Sequence, residues 1–171
     1  MRGIPAFGLL AVLTALLACT APVAERGFRD PSAPFASISR FEIPRFLGEW
    51  VRVAEFMQSG QGITPQTHLY RLATTGQLVA DITEADGVTR RQVYDQPAPG
   101  RLRATGSEAQ AEELWVRWVD EGFRTAVLGT PSGSRAFILD RGATPAPDRL
   151  RAAREILNWY GYDLAQLEGA M

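Results

Sequence analysis

The chain has 171 residues, a length that a single domain with its own buried core can fill. With 46% hydrophobic and 22% charged residues, the composition excludes a disordered chain. A formal net charge of −1 argues against a surface built to track nucleic acid. All 18 cations are arginine, so any cation that is buried is a permanently charged, planar fork.

The N-terminus sets the compartment. A lone cation, Arg2, precedes an apolar run from Ile4 to Ala18, short for a bilayer span and of the length of a signal-peptide core. The run ends Leu16-Leu17-Ala18-Cys19, at the chain's only cysteine. An incidental cysteine beside an ordinary cleavage site is one reading of it. The tetrad also resembles the lipobox of bacterial lipoproteins, which implies that residues 1–18 are removed as a signal peptide and that Cys19 becomes the lipid attachment site. Each buried acyl methylene contributes about 0.8 kcal/mol, so several chains hold a soluble domain on a membrane. Thr20 after that cysteine resembles the sorting pattern for the outer membrane, implying a place in the bacterial cell envelope facing the periplasm. No second cysteine is left for a disulfide, although such a compartment would permit one. Residues 19–40, rich in Pro, Ser and isolated charges, read as a lipid anchor followed by a flexible tether. The folded part is expected over 41–171.

From Gly48 onward, β-branched and aromatic runs alternate with turn signals at Thr75-Gly76, Asp86-Gly87, Pro99-Gly100, Glu121-Gly122 and Ser132-Gly133. The spacing predicts eight strands, near 48–57, 66–75, 77–84, 88–96, 101–106, 113–120, 123–130 and 134–141. Asp86-Gly87 predicts a two-residue type I′ hairpin. Eight antiparallel strands in an up-and-down order can close into a barrel, which removes the sheet edges and leaves room for one small ligand. After Pro145 and Pro147 the period changes. Leu150, Ala153, Ile156, Leu157 and Tyr160 recur at helical spacing, with Arg149, Arg151, Arg154, Glu155 and Asn158 on the other face. Pro147 suits the first turn, Asp148 the positive end of the dipole and Gly161 the C-terminal cap. The predicted helix of about 14 residues has no room inside a closed barrel and is expected outside it.

Gly48-Glu49-Trp50, set in Phe46-Leu47-Gly48-Glu49-Trp50-Val51-Arg52-Val53-Ala54, resembles the first-strand signature of the lipocalins. Phe123-Arg124-Thr125-Ala126-Val127-Leu128 and Phe137-Ile138-Leu139-Asp140-Arg141 resemble that family's last two barrel strands. Asp148 to Leu167 resembles the C-terminal helix and tail of its bacterial lipoprotein branch. Together these cover most of residues 45–168. The resemblance implies an eight-stranded barrel with an external helix, and a structural floor made by Gly48, Trp50 and Arg141, with the guanidinium across the indole face. It also implies a small hydrophobic or amphipathic ligand, of the fatty-acid or lysophospholipid class. Val51, Arg52 and the stretch from Met57 to Gly62 depart from the family pattern, which bears on the ligand more than on the fold.

Side chains alternate along a strand, so one fixed position orients the rest. An inward Trp50 puts Arg52, Ala54 and Phe56 inside and Val51 and Val53 outside. An inward Arg141 does the same for Leu139 and Phe137. Leu114, Val116 and Trp118 form the apolar face of the sixth strand, leaving Arg117 outside, and Tyr70 and Leu72 are further candidates. The expected ligand contacts are therefore Arg52, Phe56, Tyr70, Val116, Trp118, Phe137 and Leu139. Arg52 is costly to bury alone. It either pairs internally, with a partner such as Asp81 or Glu84, or sits low enough to join the floor network, or anchors a carboxylate or phosphate head. Catalysis has little support: the one cysteine sits at the anchor, His68 is the only histidine, and no nucleophile–base pair or phosphate loop is visible. No catalytic residue, metal or cofactor is assigned. The expected partners are the amphipathic lipid, the membrane through its N-terminal anchor and, left open, a second copy in a homodimer. An envelope protein bound by a ligand-free barrel is the alternative.

Overall fold

The computed structural model describes residues 27–57 and 62–169. The signal-peptide and Cys19 readings fall outside them. Strands β1 (Gly48–Phe56), β2 (Gln66–Leu72), β3 (Leu78–Glu84), β4 (Thr89–Ala98), β5 (Arg101–Ala104), β6 (Leu114–Val119), β7 (Thr125–Gly129) and β8 (Ala136–Asp140) follow one another around a single antiparallel sheet. β8 returns to β1, pairing Arg52 with Leu139 and Glu55 with Phe137, and β1 also pairs with β2. The sheet is therefore a closed barrel of eight strands, meandering in chain order.

Two short elements carry no periodic signal because each spans one turn or less. Ile43–Phe46 forms α1, a single helical turn that delivers Phe46 into the barrel floor. Leu167–Gly169 forms β9, which pairs with Ala54–Phe56 of β1 beyond the Arg52–Gln66 pair that ends the β1–β2 ladder. The predicted type I′ turn at Asp86-Gly87 is not formed. Glu84 donates its N–H to the Val88 carbonyl at 2.9 Å, and its own carbonyl accepts from Gly87 at 3.0 Å. The loop thus has three residues. Only Gly87 takes a positive φ, 83°, while Asp86 accepts the Val88 N–H through its carboxylate. A three-residue loop with glycine in the left-handed position follows the strand twist equally well.

The C-terminal helix, α2 (Pro147–Trp159), opens on Pro147 and closes on Gly161 at φ 81°. Gly161 N–H donates to Asn158 O and Tyr162 N–H to Leu157 O, the paired bonds of a Schellman cap. α2 lies outside the barrel. Its Leu150, Ala153 and Leu157 pack with Val53, Ala54, Phe56, Val127, Ala136 and Ile138 on the outer wall of β1, β7 and β8. Arg149, expected on the exposed face, instead donates to Thr125 Oγ1 at 2.8 Å and to the buried Asp140 carboxylate at 3.2 Å. An acid buried under the helix is matched by the nearest guanidinium, which ties the start of α2 to the floor end of the barrel.

Residues 28–38, part of the segment expected to be tether, are bonded to the folded part. From Gly27 the chain runs along the outside of the barrel. Phe28 N–H donates to Gly133 O, Asp163 N–H to Phe28 O, and Ile38 N–H to Val116 O. Arg29 donates to the carbonyls of Tyr160, Pro131, Ala33 and Pro34. Phe35 stacks on Trp115 and covers the buried Arg117 guanidinium, whose other face meets Tyr160 at 3.7 Å. Side-chain anchors of this kind fix a segment that has no periodicity of its own.

Candidate functional site

One end of the barrel is closed by side chains. Trp50 is fully buried and donates its indole N–H to Phe46 O at 2.8 Å. The Arg141 guanidinium lies 3.8 Å over the indole and donates to the carbonyls of Phe123, Glu49 and Arg45. Gly48, at φ 96°, leaves no side chain where the guanidinium passes; a Cβ there would stand 3.3 Å from its nitrogen. Above this floor, Phe46, Tyr70, Leu78, Leu102, Val116, Leu128, Phe137 and Leu139 fill the lower half of the interior.

The upper half is polar. Period two fails at register shifts in β1, β4 and β6, and those in β1 and β6 decide which of the expected contacts face inward. In β1 the register shifts between Arg52 and Ala54. Val53 and Ala54 both face the outer cluster, so Glu55 turns inward and Phe56 turns out, against Phe28 and Tyr162. In β6 the register shifts between Val116 and Trp118. Val116 and Val119 face the interior, whereas Trp118 packs on the outer cluster. Phe56 and Trp118 are therefore not cavity residues, and Ala54 is outside as well. Tyr70, Val116, Phe137 and Leu139 do face the interior, each at most 1% exposed. They are packed in the filled half. Leu72, at the end of β2, is exposed.

Arg52 points inward and is already partnered. It forms an ion pair with Glu55 and donates to Thr64 O at 2.7 Å. Neither carboxylate expected to meet it does so. Asp81 faces outward between Arg71 and Arg91, and hydrogen bonding to Arg91 is the main reason its carboxyl lies below the ordinary range. Glu84 accepts from Gln66, its cross-strand partner. Burial, opposed by Glu55, lowers the Arg52 pKa.

His68 sits beneath this layer, 1% exposed, with Phe137 beside its ring and long contacts to Tyr70 Oη (3.4 Å) and Gln66 Oε1 (3.3 Å). Burial, followed by the charges of Arg135, Arg52 and Arg90, pushes its pKa down to about 3. It is a neutral packing residue at physiological pH. Among the described residues, no three His, Cys, Asp or Glu side chains are grouped to hold a metal ion.

At the open end the strands leave a cup of about 80 Å³ walled by Arg90, Gln92, Tyr94, Ala104, Leu114 and Arg135, with the carboxylates of Glu108 and Glu112 also in its lining. Glu112 accepts from the Ser132 N–H and hydroxyl. Arg90 is exposed at the rim of the cup. Arg135 lies 5.0 Å over the Phe137 ring and 3.7 Å from Glu55. Burial raises the Tyr94 pKa, so its hydroxyl stays protonated. Of these residues, Arg90, Gln92 and Tyr94 had a signal in the sequence. They pair across the hairpin with Ile82, Ala80 and Leu78, an apolar alternation that fixes their inward facing. Arg135 lies just before β8, two residues ahead of Phe137 in the run predicted over 134–141, so the same alternation that turns Phe137 inward also applies to it.

No family model matches this chain, and none of the curated proteins does. Among solved structures, the crystal structure of a major allergen from cockroaches, Per a 4, matches with a TM-score of 0.62. The match covers 82% of this chain and 95% of that chain at 12% identity. The fold is lipocalin-like.

Within this lipocalin-like barrel the room for a ligand is at the mouth. Pockets that bury a drug-sized molecule hold roughly 300–1,000 Å³, several times the cup. A larger groove, about 450 Å³, runs outside along α2 between Pro145, Leu150, Arg154 and Leu164 and does not open into the barrel.

Proposed function

We propose that this lipocalin-like barrel binds a small amphipathic anion at its open end and is held in the bacterial envelope by an acylated Cys19. The observation that supports the first part is the pair of guanidinia, Arg90 and Arg135, beside the apolar and aromatic wall of Tyr94, Ala104 and Leu114. Of the two carboxylates that share the lining, Glu108 and Glu112, the second is taken up by Ser132. A carboxylate or phosphate accepts forked, charge-assisted hydrogen bonds from arginine. Arg52, matched by Glu55, acts as the support beneath the site. A fatty acid or lysophospholipid fits this arrangement with its head in the cup and its tail at the rim, because the aromatic filling below leaves no channel for a chain. The protein is a binder and carrier on this reading, with no chemistry assigned to it.

The filled lower half favours a second reading, in which the barrel has no stored ligand and presents its surface to an envelope protein. Native mass spectrometry after gentle detergent extraction separates the two. A stoichiometric anionic lipid on the intact chain is the expected result. An empty chain that co-purifies with an envelope protein would overturn it in favour of the second reading.

A further inference from the structure

We infer that the open end of the barrel is a docking surface for a phospholipid bilayer, so that the cup faces the membrane. This rests on the proposed acylation of Cys19. The described chain begins at Gly27, wedged against the β7–β8 loop at the mouth: a Cβ on Gly27 would meet the Ser132 carbonyl at 2.5 Å, and Phe28 N–H bonds to Gly133 O at 2.8 Å. Eight residue steps separate Cys19 from Gly27, and about 3.3–3.6 Å per residue limits their reach to roughly 28 Å. β1, with nine residues, is itself about 30 Å long at roughly 3.3 Å per residue. Tilted by roughly 40° in a closed barrel, it rises about 23 Å along the axis, so a bilayer at the floor end would use most of the connection's reach, whereas one at the mouth or along the flank lies close to where the described chain begins.

The exposed apolar side chains choose between mouth and flank. Three large ones are exposed among the described residues: Leu72, Val88 and Trp159. Leu72 is near the floor. Val88 is in the β3–β4 hairpin at the mouth, 61% exposed, and Trp159 ends α2 beside Tyr160, 62% exposed. Tyr160 and Gly161 bond to Arg29 and Asp30 at the level of the β7–β8 loop, so Trp159 is also at the mouth end. In the eight-strand order, β3–β4 and β7–β8 are four strands apart and stand on opposite sides of the mouth. A plane touching both Val88 and the end of α2 lies across the cup. Indole and aliphatic tips seat at the headgroup–acyl boundary, and a lipid head there can enter the cup while its tail stays in the bilayer.

Tryptophan quenching by lipids brominated on the acyl chain tests this, with the acylated full chain reconstituted in phosphatidylethanolamine–phosphatidylglycerol vesicles. The wild type, Trp159→Phe, and Trp159→Phe combined with Val88→Trp are compared. The quenched share of emission is expected to fall at least twofold in the single variant and to return in the double variant. No return at position 88 would mean that the barrel lies on its α2 flank, and no drop at position 159 would mean that neither rim meets lipid; either overturns the docking surface. Intact mass of the same preparations reads acylation separately. An unmodified Cys19 overturns the anchor and with it this orientation, whereas an acylated chain with unquenched rims overturns the orientation alone.

Discussion

Arg141 replaces a hydrophobic plug with a cation, and the floor depends on that choice being fully matched. Its three carbonyl partners lie on α1, on β1 and in the loop before β7, with the Trp50 ring against its face. One side chain therefore joins the two ends of the barrel order. Charge-assisted bonds and the cation–π contact each contribute on the order of 1–2 kcal/mol. Arg141→Leu is expected to lower urea-unfolding stability by about 3 kcal/mol, and Arg141→Lys to recover only part of it, since an ammonium has no fork. His68 makes a second prediction. Its folded pKa, about 3, lies below the ordinary value of about 6.5, so the unfolded chain takes up a proton that the folded chain refuses. The stability associated with His68 is complete above pH 6.5 and is lost as pH falls from there towards 3, at about 1.4 kcal/mol per unit. Between pH 7.5 and 5.5 the wild type should lose about 1 kcal/mol more than His68→Gln in urea midpoints. Equal losses would show that the imidazole is not held neutral.

At the level of elements, the strands and α2 were legible because each has a period long enough to read. The eight strands match their predicted runs to within a few residues, and the helix ends where Pro147 and Gly161 place it. The facing of β1 and β6 was not legible beyond their bulges. Nothing in Val53-Ala54 or Arg117-Trp118 marks an extra residue, since small, apolar and aromatic side chains suit either face of a wall that is covered on both sides. This is why Glu55 holds the inward position that periodicity gave to Phe56, and why Trp118 lies under α2's cluster. The segment before α1 was read as tether for the same reason: its hold comes from scattered side chains. Phe35 is the clearest of these, covering Arg117, whose three guanidinium nitrogens have no hydrogen-bond partner among the described residues. Burial pushes the Arg117 pKa down to about 10, so it is still charged at neutral pH. Phe35→Ala should loosen the segment without opening the barrel. Amide exchange at Ile38, which bonds to Val116 O, is expected to speed up at least tenfold while the Trp50 indole N–H stays protected.

For the whole molecule, the barrel is divided across its length. The floor half is aromatic and filled with packed side chains, and the mouth half is lined by Arg52, Glu55, Gln66, Glu84, Gln92 and Arg135, most of them matched to one another. That division turns the expected apolar cavity into a shallow charged cup in which two guanidinia and two carboxylates meet. A ligand reaching the floor would have to displace side chains that close-packed interiors give up reluctantly. A ligand held at the rim leaves them in place. Backbone and indole ¹⁵N–¹H shifts during a titration with a short-chain lysophosphatidic acid distinguish the two directly. The amides of Arg90–Tyr94 and Arg135 are predicted to move in a saturable way, at least tenfold more weakly in Arg135→Ala, while the Trp50 indole signal stays fixed. Movement of the Trp50 indole with a silent mouth, or no saturable movement anywhere, would contradict the account.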